Sequence, residues 1–576
     1  MSDFNEIKTP DMHEPWDGQG LPAGAKAGLF AFIGVLLGAA IPYFVAPLFN
    51  AEDDAVVDIG VASIEVADVA KKVGAMRAWL PGDNLPFAHA FGGGHGHAEA
   101  TAKCAPGALA ATFATGSDGE PEVPEVAPLV IEPSPVEVIE PSAADAGNAT
   151  VSPSVADPAN SKTNPDTDPK PNEPPKVAPA LSRIHIPDST WDGLSTFVED
   201  PHDALRPFYA QLAKVALKEA NAMVRISHYG DSAIAADGMP SSARRLLQHT
   251  FGDGGHGFSL AAASNNWYRR KDITWTSQAF QTEVYISDDA KDQRYGFAGT
   301  AAIGYAGARA TWKTVEGPEG TVGTKASRFQ VYYQAAKGGG RIAVTVDGVE
   351  NQVIDTESET REDRVATIEV PDGPHTFEVK NAGGGKTKIY GAVIERATGV
   401  VYDGLGTIGA RDTRWLNIDG EHAKNAIRQR GTDLGVFMYG GNQLEDKVSM
   451  ARYQESLTEV VKLWHTALDG KSCMLMSSID HGERYRGRVR TVPRLVDIMK
   501  VQREVALANG CAWFSLYDAM GGNGSIGDWF DQGLAEGDLA HPTSKGAIIL
   551  GQLFYKALMR GFADYIKSET AAELPK

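Results

Sequence analysis

Cysteine is nearly absent from this chain. Three occur in 576 residues, at Cys104, Cys473 and Cys511, with no CxxC spacing. That argues against a disulfide framework and against a cysteine zinc site, and leaves open a single Cys473–Cys511 pair. Basic residues are also in deficit. Lysine and arginine number 54 against 74 acids, giving a net charge of −20. Such a surface repels phosphate backbones, so nucleic acid is a poor candidate partner. Aromatic residues are missing altogether from residues 119–180, a stretch that holds 14 of the 32 prolines. A segment of that kind cannot bury enough apolar surface to offset its ordering entropy, and it is expected to be a disordered, extended tether.

One long run lacks charge. Residues 27–49, AGLFAFIGVLLGAAIPYFVAPLF, contain no charged side chain and suffice to cross a hydrocarbon core of about 30 Å. Lys8 and Lys26 precede the run, while Glu52, Asp53 and Asp54 follow it and the next basic residue is Lys71. This asymmetry favours a single-pass anchor with residues 1–26 cytoplasmic and the rest outside. A cleaved signal peptide is the alternative. Against it, the leader carries more acids than bases and no clear A-x-A site follows. Residues 51–180 then read as a low-complexity and Pro-rich linker. Within them a short helix is expected around 66–79. His89, His95 and His97 lie in a glycine-rich stretch that reads as a loop rather than a metal site.

From residue 181 the composition becomes globular. Short apolar runs at 222–226, 400–402, 434–439, 473–478 and 512–516 alternate with amphipathic stretches at 241–250, 422–430, 449–468, 492–509 and 544–566. Strands alternating with helices imply an α/β domain built on a parallel sheet. Residues 265–396 break the rhythm. They are rich in Thr, Val, Tyr and Gly, with alternation such as RIAVTVDGV and frequent turn signals. They are expected to form a β-sandwich inserted between the α/β segments 181–264 and 397–576.

The first strand runs into Gly230-Asp231-Ser232. Reactive side chains emerge at the C-terminal ends of strands in an open α/β sheet. A serine there can use the N–H groups of the following helix to stabilise an oxyanion. A nucleophilic serine needs a base, and the base an orienting acid. The spacing D-x-x-H occurs four times, at Asp253/His256, Asp372/His375, Asp419/His422 and Asp538/His541. The pattern alone does not choose. Context favours the last, which follows the final strand and precedes Pro542 and a long helix.

The order of strand–GDS, a later glycine, Gly440-Gly441-Asn442 and a terminal DxxH resembles the SGNH/GDSL hydrolase family. The resemblance covers about residues 222–563 without the insert. It implies a flavodoxin-like five-stranded parallel sheet flanked by helices, with Ser232, Asp538 and His541 as catalytic triad. It also implies an oxyanion hole from the N–H groups of Ser232 and Gly409 and the Asn442 amide. Ser232 and Asn442 are 210 positions apart, a spacing the insert explains, and Gly441 stands where Thr or Asn is commoner. A β insert between the first two blocks, together with the segment FGDGGHGF at 251–258, resembles peptidoglycan O-acetylesterases with a carbohydrate-binding-like module.

The activity this implies is hydrolysis of a small acyl ester, O-acetyl on an envelope polysaccharide, with no metal and no cofactor. Acetyl transfer by the same triad and a non-catalytic glycan-binding role are the alternatives. Asp231, Gly441 and His256 are further candidates for substrate contact. Trp267, Tyr268, Trp275, Trp312, Tyr332 and Tyr333 are candidates to stack on sugars, each more simply read as core. A second Gly-Gly-Asn at Asn523 reads as a loop. Glu445-Asp446 reads as a helix start. Asp480-His481 fits a cleft wall or a surface loop equally, and the basic run 484–490 reads as a solvated loop.

Overall fold

The computed structural model describes residues 56–58, 63–65, 129–131 and 180–572. The expected anchor at 27–49, the helix at 66–79, Cys104 and the three loop histidines lie outside them. Among the described residues no helix is long and apolar enough to cross a membrane.

The chain divides into two units, residues 1–103 and 104–576. In the first, β1 (Val56–Asp58) and β2 (Ser63–Glu65) pair antiparallel. The second opens with β3 (Val130–Ile131), which pairs antiparallel with β4 (Ile184–His185). Part of the expected tether is therefore ordered. The apolar Leu129–Val130–Ile131 run gives it what its proline-rich flanks lack, and Leu129 packs on the main core. Helix α1 (Arg206–Ala216), which the sequence reading did not anticipate, follows.

The parallel sheet has the order β15-β5-β16-β17-β20. Its strands are β5 (Met223–Gly230), β15 (Gly399–Gly406), β16 (Leu434–Met438), β17 (Ser472–Met476) and β20 (Ala512–Phe514). All neighbours run parallel, and the five expected runs supply the five strands. Each strand is buried along nearly its whole length, as a sheet covered on both faces requires. The covering helices are α2 (Ser232–Ala235), α3 (Gly238–Phe251), α4 (Gly420–Arg430), α5 (Met450–Leu468), α6 (Pro493–Ala508), α7 (Leu516–Ala519), α8 (Ser525–Asp531) and α9 (Ser544–Ala572). Cys473 and Cys511, at the starts of neighbouring strands, form a disulfide with their Cα atoms 4.7 Å apart.

The insert is antiparallel. Strands β6 (Gly257–Ser259) to β14 (Thr387–Glu395) form one nine-stranded sheet. Because β6 pairs with β14, the module takes in residues before the expected boundary at 265. Strand β8 (Thr300–Lys313) pairs with β13 (Thr376–Asn381) through residues 309–313 and with β14 through 302–304. The sheet thereby folds over itself. Phe329 of β9 (Ala326–Ala335) stacks on Phe377 of β13 with ring centroids 4.7 Å apart, although those strands are not paired. Trp312, Tyr332, Tyr333 and Tyr268 are buried, whereas Trp267 is 69% exposed.

A buried ionic cluster ties the module to the sheet. Arg430 of α4 donates to Glu395 Oε1 (2.6 Å) and to both oxygens of Asp403 (2.8 and 3.0 Å), and Arg225 of β5 donates to both oxygens of Glu395. Burial alone would raise Glu395, but the two guanidinium groups outweigh it and hold the carboxyl at about 2.

Candidate active site

Ser232, Gly409 and Asn442 follow the C-terminal ends of β5, β15 and β16, and Asp538 and His541 lie in the loop between α8 and α9. The site sits at the end of β5, which has β15 on one side and β16 on the other, the switch point at which open α/β sheets bind ligands. At the end of β5, Gly230 allows a close approach. A Cβ there would lie 2.5 Å from Ile234 Cγ1 and 2.8 Å from the Met438 carbonyl. Asp231 then caps α2, its Oδ1 accepting from Ala233 N at 3.1 Å. Helix α2 is a single turn. What it offers an anion is local N–H groups rather than a long macrodipole.

Ser232 Oγ lies 2.9 Å from His541 Nε2, and His541 Nδ1 lies 2.7 Å from Asp538 Oδ2. An ionised carboxylate only accepts hydrogen bonds. The imidazole proton therefore belongs on Nδ1, which leaves Nε2 free to receive the serine proton. Asp538 Oδ1 accepts from the N–H groups of Ala540 and His541, at 3.0 and 3.1 Å. Burial alone would raise Asp538, but the bonds from His541 and Ala540 hold it below the usual carboxylate range. The loop is fixed by Leu539, whose side chain is in the core and whose carbonyl accepts from Gly482 N at 2.8 Å.

Gly409 follows β15 with φ +78°, a conformation that favours glycine. The N–H groups of Ser232 and Gly409 have no acceptor among the described residues. Asn442 Nδ2 donates to the Ala410 carbonyl at 3.1 Å and approaches Asp231 Oδ2 at 3.4 Å. Arg411 braces both loops, donating to the Gly409 carbonyl at 3.3 Å and to Asp446 Oδ1 at 2.8 Å. Asp231 is 5% exposed. Burial pushes its carboxyl up to about 6, against the bond from Ala233 N and the nearby His541, and buried Asp412 adds to the rise.

The other D-x-x-H pairs are differently employed. His256 is buried, with Arg244 and Arg270 close enough to disfavour its charged form, and no bond from it to the site residues is found among the described residues. His375 bonds Asp347, not Asp372, inside the module. His422 bonds Asp363 and accepts from Gly296 N, while Asp419 caps α4. Asn523 accepts from Thr491 N, away from Asn442. His481 packs where a Cβ on Gly441 would stand, 2.5 Å from its Cε1. Burial and the nearby His541 push His481 down to about 4, so it is a neutral ring beside Asn442. Asp480 is wholly buried. Sequence reasoning had no signal for Arg411 or Asp412, whose roles depend on contacts between distant loops.

No family model matches the chain, and no curated protein is found as a relative. Among solved structures, a peptidoglycan O-acetylesterase is similar with a TM-score of 0.55 and 21% identity, over 64% of this chain and 99% of that one. The chain has the SGNH hydrolase fold. A family two carbohydrate esterase from Cellvibrio japonicus is similar only at a TM-score of 0.22 and 12% identity, over 51% of this chain and 99% of that one. That weaker likeness adds nothing to the assignment. Within the SGNH framework, the blocks that hold Ser232, Gly409, Asn442 and His541 converge on one end of the sheet, and the β module enters between the first two. Among the described residues no group of His, Cys, Asp and Glu is placed to hold a metal ion.

Proposed function

We propose that the chain is a serine esterase that removes O-acetyl groups from an envelope polysaccharide, peptidoglycan foremost. The observation that carries this reading is the unbroken hydrogen-bonded line from Ser232 through His541 to Asp538. It lies with two N–H groups that have no acceptor among the described residues, those of Ser232 and Gly409, and with the Asn442 amide.

In this mechanism Ser232 Oγ attacks the acetyl carbonyl carbon as His541 Nε2 takes its proton. Asp538 holds the imidazolium through Nδ1–H. The developing oxyanion receives the N–H groups of Ser232 and Gly409 and the Asn442 amide. Collapse expels the sugar hydroxyl, which is protonated by His541, and leaves an acetyl-serine. Water, activated by His541, then releases acetate. Side-chain exposures of 44% for His541 and 52% for Asp538 favour water as the second acceptor over a sequestered sugar, and so hydrolysis over transfer. Peptidoglycan enters this reading from the likeness to a peptidoglycan O-acetylesterase. The uncharged run at 27–49 would anchor the enzyme, with its catalytic unit outside the membrane. The Cys473–Cys511 disulfide fits an oxidising compartment.

The test is acetate release from O-acetylated peptidoglycan, with acetylated xylan as control, by the full chain and its Ser232→Ala variant. Serine-dependent release, faster on peptidoglycan, is expected. A folded protein that releases nothing from either would overturn the hydrolase reading.

A further inference from the structure

The hairpin β18 (Gly482–Tyr485) and β19 (Arg488–Thr491) is unlike the rest of this acidic chain. It carries Arg484, Arg486, Arg488 and Arg490 within seven residues of a protein with net charge −20. Its turn has positive φ at both Arg486 (+50°) and Gly487 (+79°), the two-residue geometry whose twist suits paired strands.

The base of the hairpin is firmly held. Thr491 Oγ1 donates to buried Asp480 (2.7 Å) and accepts from Gly524 N (3.0 Å), and Asp480 also accepts from Ile526 N (3.0 Å). Val489 packs so closely on α8 that a Cβ at Gly527 would lie 2.7 Å from the Val489 Cβ. This places one face of the hairpin against the domain, with Arg484 at its rim, 5.8 Å over the Phe530 ring. The register sets Glu483 opposite Arg490 and Tyr485 opposite Arg488 on the other face. There Arg490 is paired with Glu483 and lies 4.0 Å over the Tyr485 ring. Arg484, Arg486 and Arg488 are exposed and have no carboxylate partner among the described residues. Ring contacts hold two of them, Arg484 over Phe530 and Arg486 5.1 Å over the Tyr485 ring, but no carboxylate among the described residues neutralises the three charges.

The hairpin also adjoins the candidate site. Gly482 N bonds the Leu539 carbonyl, between Asp538 and His541. His481, directly before the hairpin, packs on Gly441 beside Asn442. From base to tip the hairpin spans four residues, about 13 Å at the usual rise of a strand. A polymer held by one ester at Ser232 can therefore extend to it.

We infer that this hairpin is a subsite for carboxylate groups on the glycan, with Arg484, Arg486 and Arg488 as the reading cations, so that the substrate class is a carboxylate-bearing rather than a neutral polysaccharide. Guanidinium groups match the geometry of carboxylates. The inference rests on the proposed esterase reading for its link to catalysis, but the binding itself is separable.

The experiment uses the full chain carrying Ser232→Ala, with and without the added substitutions Arg484→Gln, Arg486→Gln and Arg488→Gln. The probes are soluble O-acetylated peptidoglycan fragments and the same fragments with their carboxylates capped as amides. The protein with the native hairpin is expected to bind the uncapped fragments roughly tenfold tighter than the capped ones, the scale of three exposed charge contacts of about twofold each. That preference should fade as salt is raised and vanish in the triple variant. Equal binding of capped and uncapped fragments, or an unchanged preference in the triple variant, would overturn the subsite. In the protein that keeps Ser232, the triple variant should raise KM for peptidoglycan by a similar factor and leave turnover of 4-nitrophenyl acetate unchanged. Carboxylate-dependent binding without any serine-dependent acetate release would uphold the subsite and reject the esterase.

Discussion

The Asp231→Asn substitution should stabilise the protein at neutral pH and do little in acid. The side chain is 5% exposed, and burial raises its carboxyl from 3.8 to about 6. A carboxyl whose folded value is raised favours the protonated form on folding. Its penalty is absent below the unfolded value, grows between 3.8 and about 6, and is complete above that. A shift of roughly two units corresponds to about 3 kcal/mol. The asparagine amide would keep an oxygen for Ala233 N, so the cap survives, and it carries no charge to desolvate. Urea unfolding should therefore show a gain of up to about 3 kcal/mol near pH 7.5 and less than about 1 kcal/mol near pH 4. The comparison is between two proteins at each pH, so titrating groups not coupled to Asp231 cancel, leaving those coupled to it, such as His541 and Asp412, to contribute. Equal gains at both values, or a loss at neutral pH, would refute the argument and mean that Ala233 N, Asn442 and His541 hold Asp231 ionised.

Other outcomes follow from the same geometry. Ser232→Ala and His541→Ala should each abolish ester hydrolysis with the circular dichroism spectrum retained, while His256→Ala, His375→Ala and His422→Ala keep most turnover of a small ester. Loss confined to one of those three would show that a different pair supplies the base. Asn442→Ala should lower kcat by about 10²–10³ with little change in KM, as removal of one oxyanion donor does; a pure KM effect in steady-state kinetics would remove it from that role. Glu395→Gln should cost about 3–5 kcal/mol in urea unfolding at neutral pH, because it leaves buried Arg430 and half-buried Arg225 with one carboxylate fewer. Since Glu395 is held at about 2, below its ordinary 4.5, its contribution is present above 4.5 and is lost as pH falls toward 2; the difference between variant and parent should shrink over that range.

The sequence made the parallel sheet legible because each strand is buried on both faces and reads as an uninterrupted apolar run. Helix starts were legible where a cap announces them, as Ser449 does for α5 by accepting from Arg452 N. The triad was legible only in part. Four D-x-x-H pairs are alike as text, and what separates them is which ring meets which carboxylate. Asp372 turns to Arg396, and Asp419 to the first turn of α4. Only Asp538 both cradles its own loop and reaches the ring of its own histidine. The choice of Asp538 rested on its place after the last strand, a topological argument, and not on the motif. Where no local pattern or topology spoke, the sequence was silent. Arg411 links Gly409 to Asp446 across 37 positions, and Arg430 joins Glu395 to Asp403 through a fold that no periodicity records. The basic hairpin marks the opposite limit. Its composition was plain, and a run of arginines alone is most simply a solvated loop. What bears on its meaning is the Gly482 bond to Leu539, which joins the base of that hairpin to the loop that carries His541.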